Sequence, residues 1–200
     1  MTHDEFDQRW TTALGVAKMT LIRDGLLHHT FLVVGRDGRG GPVAADFASA
    51  RAREDSYALL RLACVAADAV FVAYLGEAEA AAGDVLTPGG CAAVPEARLD
   101  VLVVSAAARA GDEGRVTFRA SLREILRDTD GRATGLRPLA LPRSGDADED
   151  EPNGTADAYA GPLADVLPRE RPTPAERRRA REALEHATKR RARGQPPFPR

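Results

Sequence analysis

"AVFVAYLGEAE", residues 69–79, opens with a run of apolar and aromatic side chains that occupies both faces of a strand-length segment. A strand that is apolar on both faces is typical of the middle of a sheet, where both faces are covered. We therefore predict a central strand here and place the other elements around it.

The residues before this strand predict two helices that flank a hairpin. Residues 5–24 carry apolar side chains at helical spacing, and Thr2 with Glu5 offers a capping box. A second helical stripe follows over 49–69, with Ser49 as its N-cap. Between the helices, two strand-like runs enclose the turn RDGRGG, which is typical of a hairpin with a long loop. These two runs are residues 30–34 and 42–47.

Three further strands are predicted beyond the loop at 80–97, over residues 98–109, 116–128 and 136–141. Residues 120–127 also fit a helical period, but a D-x-D-G turn follows them, and we favour a strand. The resulting order is α-β-β-α-β-β-β-β. It predicts an α+β domain at residues 3–142, with a mostly antiparallel sheet and two packed helices.

Past Pro142 the apolar pattern stops. Residues 143–172 are acidic and rich in Gly and Pro, which predicts a disordered linker, because such a segment buries too little surface to offset backbone ordering. Within it, residues 159–167 form a candidate docking patch. Residues 173–200 predict a lone basic helix with a short tail, capped by a Thr-Pro-x-Glu start.

Charge divides the chain at this point. Residues 169–200 hold eleven Arg or Lys and four Glu, a net of +7, whereas the rest of the chain carries −9. The basic helix has only a narrow seam of small apolar residues, which would contribute about 2–4 kcal/mol if fully covered, so we expect it to stay unburied. The seam consists of Ala180, Ala183, Leu184 and Ala187. The predicted contact surface is Arg177, Arg178, Arg179, Arg181, Arg190, Arg191 and Arg193.

Composition limits the class of protein. No apolar run reaches the length of a membrane span, and the acidic start MTHDEFDQRW does not resemble a secretory signal. The cysteines, Cys64 and Cys91, share no motif, which favours a reducing, cytoplasmic location. The 26 arginines against 2 lysines are typical of a GC-rich bacterial genome.

Catalytic signatures are weak. Glu77 and Glu79 share one face of the predicted strand and could divide acid and base roles or bind a hard cation, and His28 could act as ligand or base. The acidic run at 146–154 resembles a calcium loop but lacks its glycine. Cys91 follows two glycines without a nearby histidine in sequence. We predict neither cofactor nor metal, and expect a protein that is not an enzyme.

Three segments carry a resemblance to a known family: VFVAYLGEAEAAAG (70–83), PEARLDVLVVSAAAR (95–109) and SLREILRDTDGRATGL (121–136). They resemble a family of uncharacterised bacterial and phage-associated small α+β proteins of unknown function. In that family a Glu-Ala step ends one strand, a Pro-Glu loop precedes the next, and Arg-Asp-x-x-Gly ends another. Glu79 and Ala80 stand where that family has aromatic residues or Met. The resemblance covers roughly residues 15–140 and implies domain limits but no activity.

We therefore expect a small binding or regulatory module whose cationic helix is a contact arm for nucleic-acid phosphate or an acidic surface. The helix could also fold back on its own acidic linker or domain, or be solvated without a partner, and whether it docks on the domain is left open. One alternative is a small hydrolase or metal-using enzyme centred on Glu77 and Glu79, which bound divalent metal would favour. Another is a phage or mobile-element structural protein, which self-assembly would favour. The role of the loop at 80–97 and the oligomeric state are left open.

Overall fold

A computed structural model describes residues 1–81, 98–110, 115–139 and 163–198. Cys91, the calcium-like run at 146–154 and most of the loop predicted at 80–97 lie outside the described residues. The elements, in chain order, are α1 (His3–Asp24), β1 (Thr30–Gly35), β2 (Gly40–Ala44), α2 (Ala50–Ala67), β3 (Ala69–Ala81), β4 (Arg98–Ala110), β5 (Arg115–Arg127), β6 (Ala133–Leu139) and α3 (Pro174–Ala192). The predicted α+β class is confirmed.

The six strands form one sheet in the order β2-β1-β3-β4-β5-β6, and every neighbouring pair is antiparallel. β3 lies in the interior, as its two apolar faces predict, with Phe71 and Val72 buried on opposite sides. The outer strands β2 and β6 each contain a proline, Pro42 and Pro138. Proline is tolerated there because the outer side of an edge strand needs no donor.

β5 is a strand, as favoured, and the helical alternative for 120–127 is wrong. Leu122 and Ile125 fit a helical spacing, but in β5 they are both buried on opposite faces of the sheet. Each face of the sheet has its own apolar core. Two residues three positions apart point to opposite faces of a strand, so both can be buried without a helical stripe.

α1 covers one face of the sheet. Its apolar stripe packs against β3, β4 and β5 and comprises Phe6, Trp10, Ala13, Ala17 and Leu21. The predicted capping box is present, since the Thr2 side chain accepts from the backbone of Glu5 while the Glu5 carboxylate accepts from the backbone of Thr2. Gly25 ends the helix with a φ of 74°, as expected for a helix C-terminus.

α2 covers the opposite face, where Leu60, Ala63 and Cys64 pack with Phe31 and Val72. Ser49 caps the helix by accepting from Ala52 N, as predicted. Asp68 ends it in the left-handed conformation, with a φ of 49°. The chain thereby turns directly from α2 into β3.

The linker predicted over 143–172 extends too far along the chain. Its described part packs on the α2 face of the sheet, where Leu163, Val166 and Leu167 are buried. These three side chains belong to the candidate docking patch at 159–167, which is confirmed over its described residues. A few apolar residues are enough to order an acidic segment when a folded core is present to cover their side chains.

The basic helix α3 is not lone: it docks on the domain, which the sequence left open, and the expectation that its seam stays unburied is wrong. It packs along α2, burying Ala180 and Ala187 with Leu184 partly covered, while Ala183 is exposed. Small side chains allow two helices to approach closely, and the 163–167 patch joins the same cluster. Its predicted capping box, Thr173 with Glu176, is present.

The two helices run antiparallel. The N-terminal part of α3 lies near the end of α2, where Arg177 and Ala66 line the same cleft. The C-terminal tail lies near the start of α2, where Pro196 and Ser49 line another. No helix within the described ranges is both long and apolar enough to cross a lipid bilayer.

Candidate anion-binding site

The β1–β2 turn lies against the end of α2. Arg36 N donates to the carbonyl oxygen of Asp68 at 3.1 Å. A Cβ on Gly35 would overlap the carbonyl oxygen of Ala67, so this close approach requires glycine. The turn thus carries its two arginines, Arg36 and Arg39, to the C-terminal end of α2.

Asp68 holds two arginines from distant parts of the chain. It is only 5% exposed, and its Oδ2 accepts from Nε of Arg171 at 3.1 Å while Nε of Arg36 lies 3.6 Å away. Both guanidinium groups are more than half exposed. Their Nη groups make no hydrogen bond within the described residues and remain available to a ligand.

α3 adds two more arginines to the same place. Arg177 and Arg181 are four residues apart, so they occupy one face of the helix. Together with Arg36, Arg39 and Arg171 they line a solvent-open cleft of about 380 Å³. This set of five is called the arginine cleft below.

The charge of the arginine cleft is unbalanced. Five arginines against Asp37 and Asp68 leave a net charge of +3. Asp37 also accepts from Arg39 N at 2.9 Å, which shapes the turn. Among the described residues, Arg39, Arg177 and Arg181 make no ion pair. The carbonyl end of the α2 dipole opposes this charge only partly, because a helix terminus carries roughly half a charge.

A second cleft adjoins the first. Arg36, Asp68 and Arg171 line both clefts. The second, of about 280 Å³, adds two arginines and one acid, Arg109, Arg169 and Glu170. Arg109 donates from Nη2 to the carbonyl oxygen of Leu167 at 3.2 Å, which ties this side to the 163–167 patch. The positive region therefore extends to both sides of Asp68.

These groups suit the binding of an oxyanion. Planar guanidinium groups donate pairs of hydrogen bonds that match phosphate and carboxylate oxygens, and they stay charged at every physiological pH. Among the described residues, the linings of both clefts contain no histidine, cysteine or serine. Within the described part of the chain, no group of three or more His, Cys, Asp or Glu could hold a metal ion.

The seven arginines predicted as the contact surface have different surroundings. Only Arg177 and Arg181 line the arginine cleft. Arg190 donates from Nε to the carbonyl oxygen of Pro196 at 2.9 Å, and Arg191 from Nη1 to that of Ala44 at 2.8 Å, so both fasten the helix and its tail. The remaining three are exposed: Arg178, Arg179 and Arg193.

Sequence reasoning missed three of the five cleft arginines, and Asp68 as well. Arg36 and Arg39 lie in RDGRGG, which we interpreted only as a turn, and Arg171 lies in the predicted linker. Asp68 gave no signal beyond the end of a helical pattern. The one available signal was that two arginines lie close together in a turn.

Glu77 bridges two parts of the fold. Its Oε1 accepts from Leu27 N, and its Oε2 accepts from Nη2 of Arg127 at 2.8 Å. Arg127 also donates from Nε to Asp100 at 2.8 Å, and these two carboxylates raise the pKa of the guanidinium, Asp100 contributing most. Both carboxylate oxygens of Glu77 are therefore engaged in joining β5 to the segment after α1.

The other catalytic candidates have less defined surroundings. Glu79 and His28 are exposed, and the His28 imidazole makes no hydrogen bond within the described residues. Its neighbour His29 instead shares a hydrogen bond between Nδ1 and the Tyr74 hydroxyl, 2.7 Å long. Burial raises the pKa of Tyr74 to about 12, and that of the Cys64 thiol to about 12, as suits a small buried hydrophobe. An enzyme centred on Glu77 and Glu79 stays a prediction.

Comparisons with protein-family models, with curated proteins and with solved structures found no match to this chain. The resemblance to uncharacterised bacterial and phage-associated proteins stays a prediction.

Proposed function

We propose that the protein is a non-enzymatic nucleic-acid-binding module that holds phosphate groups in the arginine cleft. One observation carries the proposal. Five arginines from three separate segments, the β1–β2 turn, the residues before α3 and α3 itself, line one open cleft with a net charge of +3. Nucleic-acid backbones carry closely spaced phosphates, and arginines that neutralise them release counterions.

Docking of α3 makes this positive surface rigid. The helix backbone that carries Arg177 and Arg181 is held in place by the burial of Ala180 and Ala187, so the helix itself need not be ordered when a ligand binds. Arg178 and Arg179 are the two residues after Arg177. Both are exposed and extend the positive surface beyond the cleft. α3 contains no aromatic residue, which favours contacts with phosphates over stacking on bases.

Fluorescence anisotropy of labelled duplex DNA and duplex RNA over a salt series tests the proposal. The full chain is compared with a cleft double variant, Arg177→Ala/Arg181→Ala, and with a matched surface variant, Arg178→Ala/Arg179→Ala, which removes the same charge from the same helix. A truncation before α3 is unsuitable because it would uncover the apolar side of α2.

We expect the cleft variant to weaken binding by about tenfold or more at low salt. It should also lower the slope of log K against log salt by about two, because each phosphate contact with duplex DNA contributes about 0.9. The surface variant should lose less. Absence of binding by the wild-type chain at low salt would contradict the proposal. Equal losses in the two variants would place the phosphate contacts outside the cleft.

A further inference from the structure

We infer that the arginine cleft binds a terminal phosphate monoester, such as the 5′-phosphate of a nucleic-acid strand or of a free nucleotide, in preference to the phosphodiester backbone. This inference rests on the proposed function, since it names the part of the nucleic acid that the cleft holds. The shape of the cleft, its charge and the anchoring of Arg36 and Arg171 on Asp68 support it.

The shape of the cleft fits a compact group. Its volume of about 380 Å³ lies at the small end of the range for nucleotide-sized and drug-sized ligands. Its walls are the β1–β2 turn, the end of α2 and the first turns of α3. A duplex backbone continues on both sides of each phosphate, so it approaches the arginines only from the open side of the cleft. A strand end can enter.

The charge of the cleft exceeds what one diester requires. A phosphodiester carries one negative charge, whereas a monoester carries about 1.5 to 2 at neutral pH and presents three acceptor oxygens. Arg39, Arg177 and Arg181 are the three cleft arginines without an ion pair among the described residues. Three unpaired guanidinium groups correspond to the oxygens and charge of a monoester.

Asp68 prepares the remaining two arginines. It engages the Nε atoms of Arg36 and Arg171, so the outer Nη edge of each guanidinium is fixed in direction without being occupied. Two guanidinium groups offset the charge of the carboxylate, so it repels an incoming anion less than an unpaired carboxylate would. Fixed donors lower the cost of ordering the site on binding.

The test compares two short single-stranded DNA oligonucleotides of one sequence, labelled at the 3′ end, one with a 5′-phosphate and one with a 5′-hydroxyl. Binding to the full chain is measured by anisotropy at pH 7.5 and pH 5.5, with Arg177→Ala/Arg181→Ala and Arg178→Ala/Arg179→Ala alongside. Competition by adenosine 5′-monophosphate and by adenosine forms a second arm that detects a free nucleotide.

We expect the 5′-phosphate to tighten binding by about tenfold. The preference should disappear in the cleft variant, persist in the surface variant, and shrink at pH 5.5, because the second phosphate pKa is near 6. Competition by the nucleotide but not the nucleoside, sensitive to the same cleft variant, would support the same site with a free nucleotide as the source.

The failures are distinguishable. Equal binding of both oligonucleotides, without competition by the nucleotide, overturns the inference and leaves the proposed function intact. If no oligonucleotide binds but adenosine 5′-monophosphate binds directly in calorimetry, nucleic-acid binding is overturned and the monoester site is supported. If neither binds, both the proposed function and the inference are overturned. A preference that the cleft variant retains overturns the assignment to these arginines.

Discussion

Nε of Arg171 lies 3.1 Å from Oδ2 of Asp68, across 103 positions of the chain. The pair fixes the segment before α3 to the end of α2, two residues before Thr173 caps the helix. The same carboxylate faces Arg36, so one buried acid sets the relative positions of the turn, α2 and α3. Asp68 therefore contributes both to the site and to the docking of α3.

Replacing Asp68 with Asn should destabilise the fold. Asn fits the left-handed conformation and nearly the same volume, so the change removes the charge with little backbone strain. We expect the free energy of unfolding to fall by about 1–3 kcal/mol, because two guanidinium groups lose their buried, negatively charged partner. Urea denaturation measures this. Asp165→Asn, at an exposed site, is the control, and equal stability of the two variants would contradict the role of Asp68.

Replacing Ala187 with Gln should loosen α3. Ala187 is 2% exposed against α2, and a longer side chain there forces the helices apart, at a cost of about 1–3 kcal/mol. Ala183→Gln is a matched control, since Ala183 is exposed on the same helix. Limited proteolysis should cut α3 of the Ala187 variant first. Identical digestion patterns for the two variants would show that α3 docking does not depend on this seam.

Replacing Glu77 with Gln should weaken the link between β5 and the segment after α1. The neutral amide keeps the shape of the side chain but loses the ion pair with Arg127, so we expect a loss of about 1–3 kcal/mol in the free energy of unfolding. Glu54→Gln, at an exposed helix position, is the control. If a catalytic role of Glu77 dominated, stability would be unchanged and any measured hydrolytic activity would vanish.

Tyr74 should make stability fall at alkaline pH. Burial raises its pKa from 10.0 to about 12 in the folded state, so the folded protein holds the proton more tightly than the unfolded chain. Its contribution to stability is complete below pH 10 and is lost as the pH rises through about 12. Tyr74→Phe should flatten this part of the stability profile, whereas Tyr57→Phe should retain most of it. Matching profiles for wild type and Tyr74→Phe would refute the assignment.

The helix and strand pattern was predictable because local signals agreed with the fold. The capping boxes at Thr2 and Thr173 and the turn RDGRGG specify their ends through backbone hydrogen bonds that need no distant partner. The central place of β3 followed from apolar residues on both faces. The β2 strand was displaced along the chain, with Gly40 rather than Pro42 as its first residue, because its pairing with β1 rather than its own composition sets its limits.

Local sequence patterns could not predict the docking of α3 or the arginine cleft. The small apolar area of the α3 seam alone predicted that the helix stays unburied. The docked helix also depends on Leu163, Val166 and Leu167, which supply apolar surface from another segment. The cleft required Arg36, Asp68 and Arg171 to meet, and nothing in their sequence spacing indicates that they do. Charge asymmetry predicted a cationic surface, but the fold decided which arginines share it.

Pro42 and Pro138 affect how copies of the chain can meet. Each removes a hydrogen-bond donor from the outermost strand on its side of the sheet, and the outer carbonyl of Ala44 is already occupied by Arg191. An added strand would therefore find an interrupted ladder at either margin, which protects the sheet against edge-to-edge aggregation. A filament or shell of this protein, if one forms, would have to be joined through side-chain surfaces rather than through a shared β-sheet.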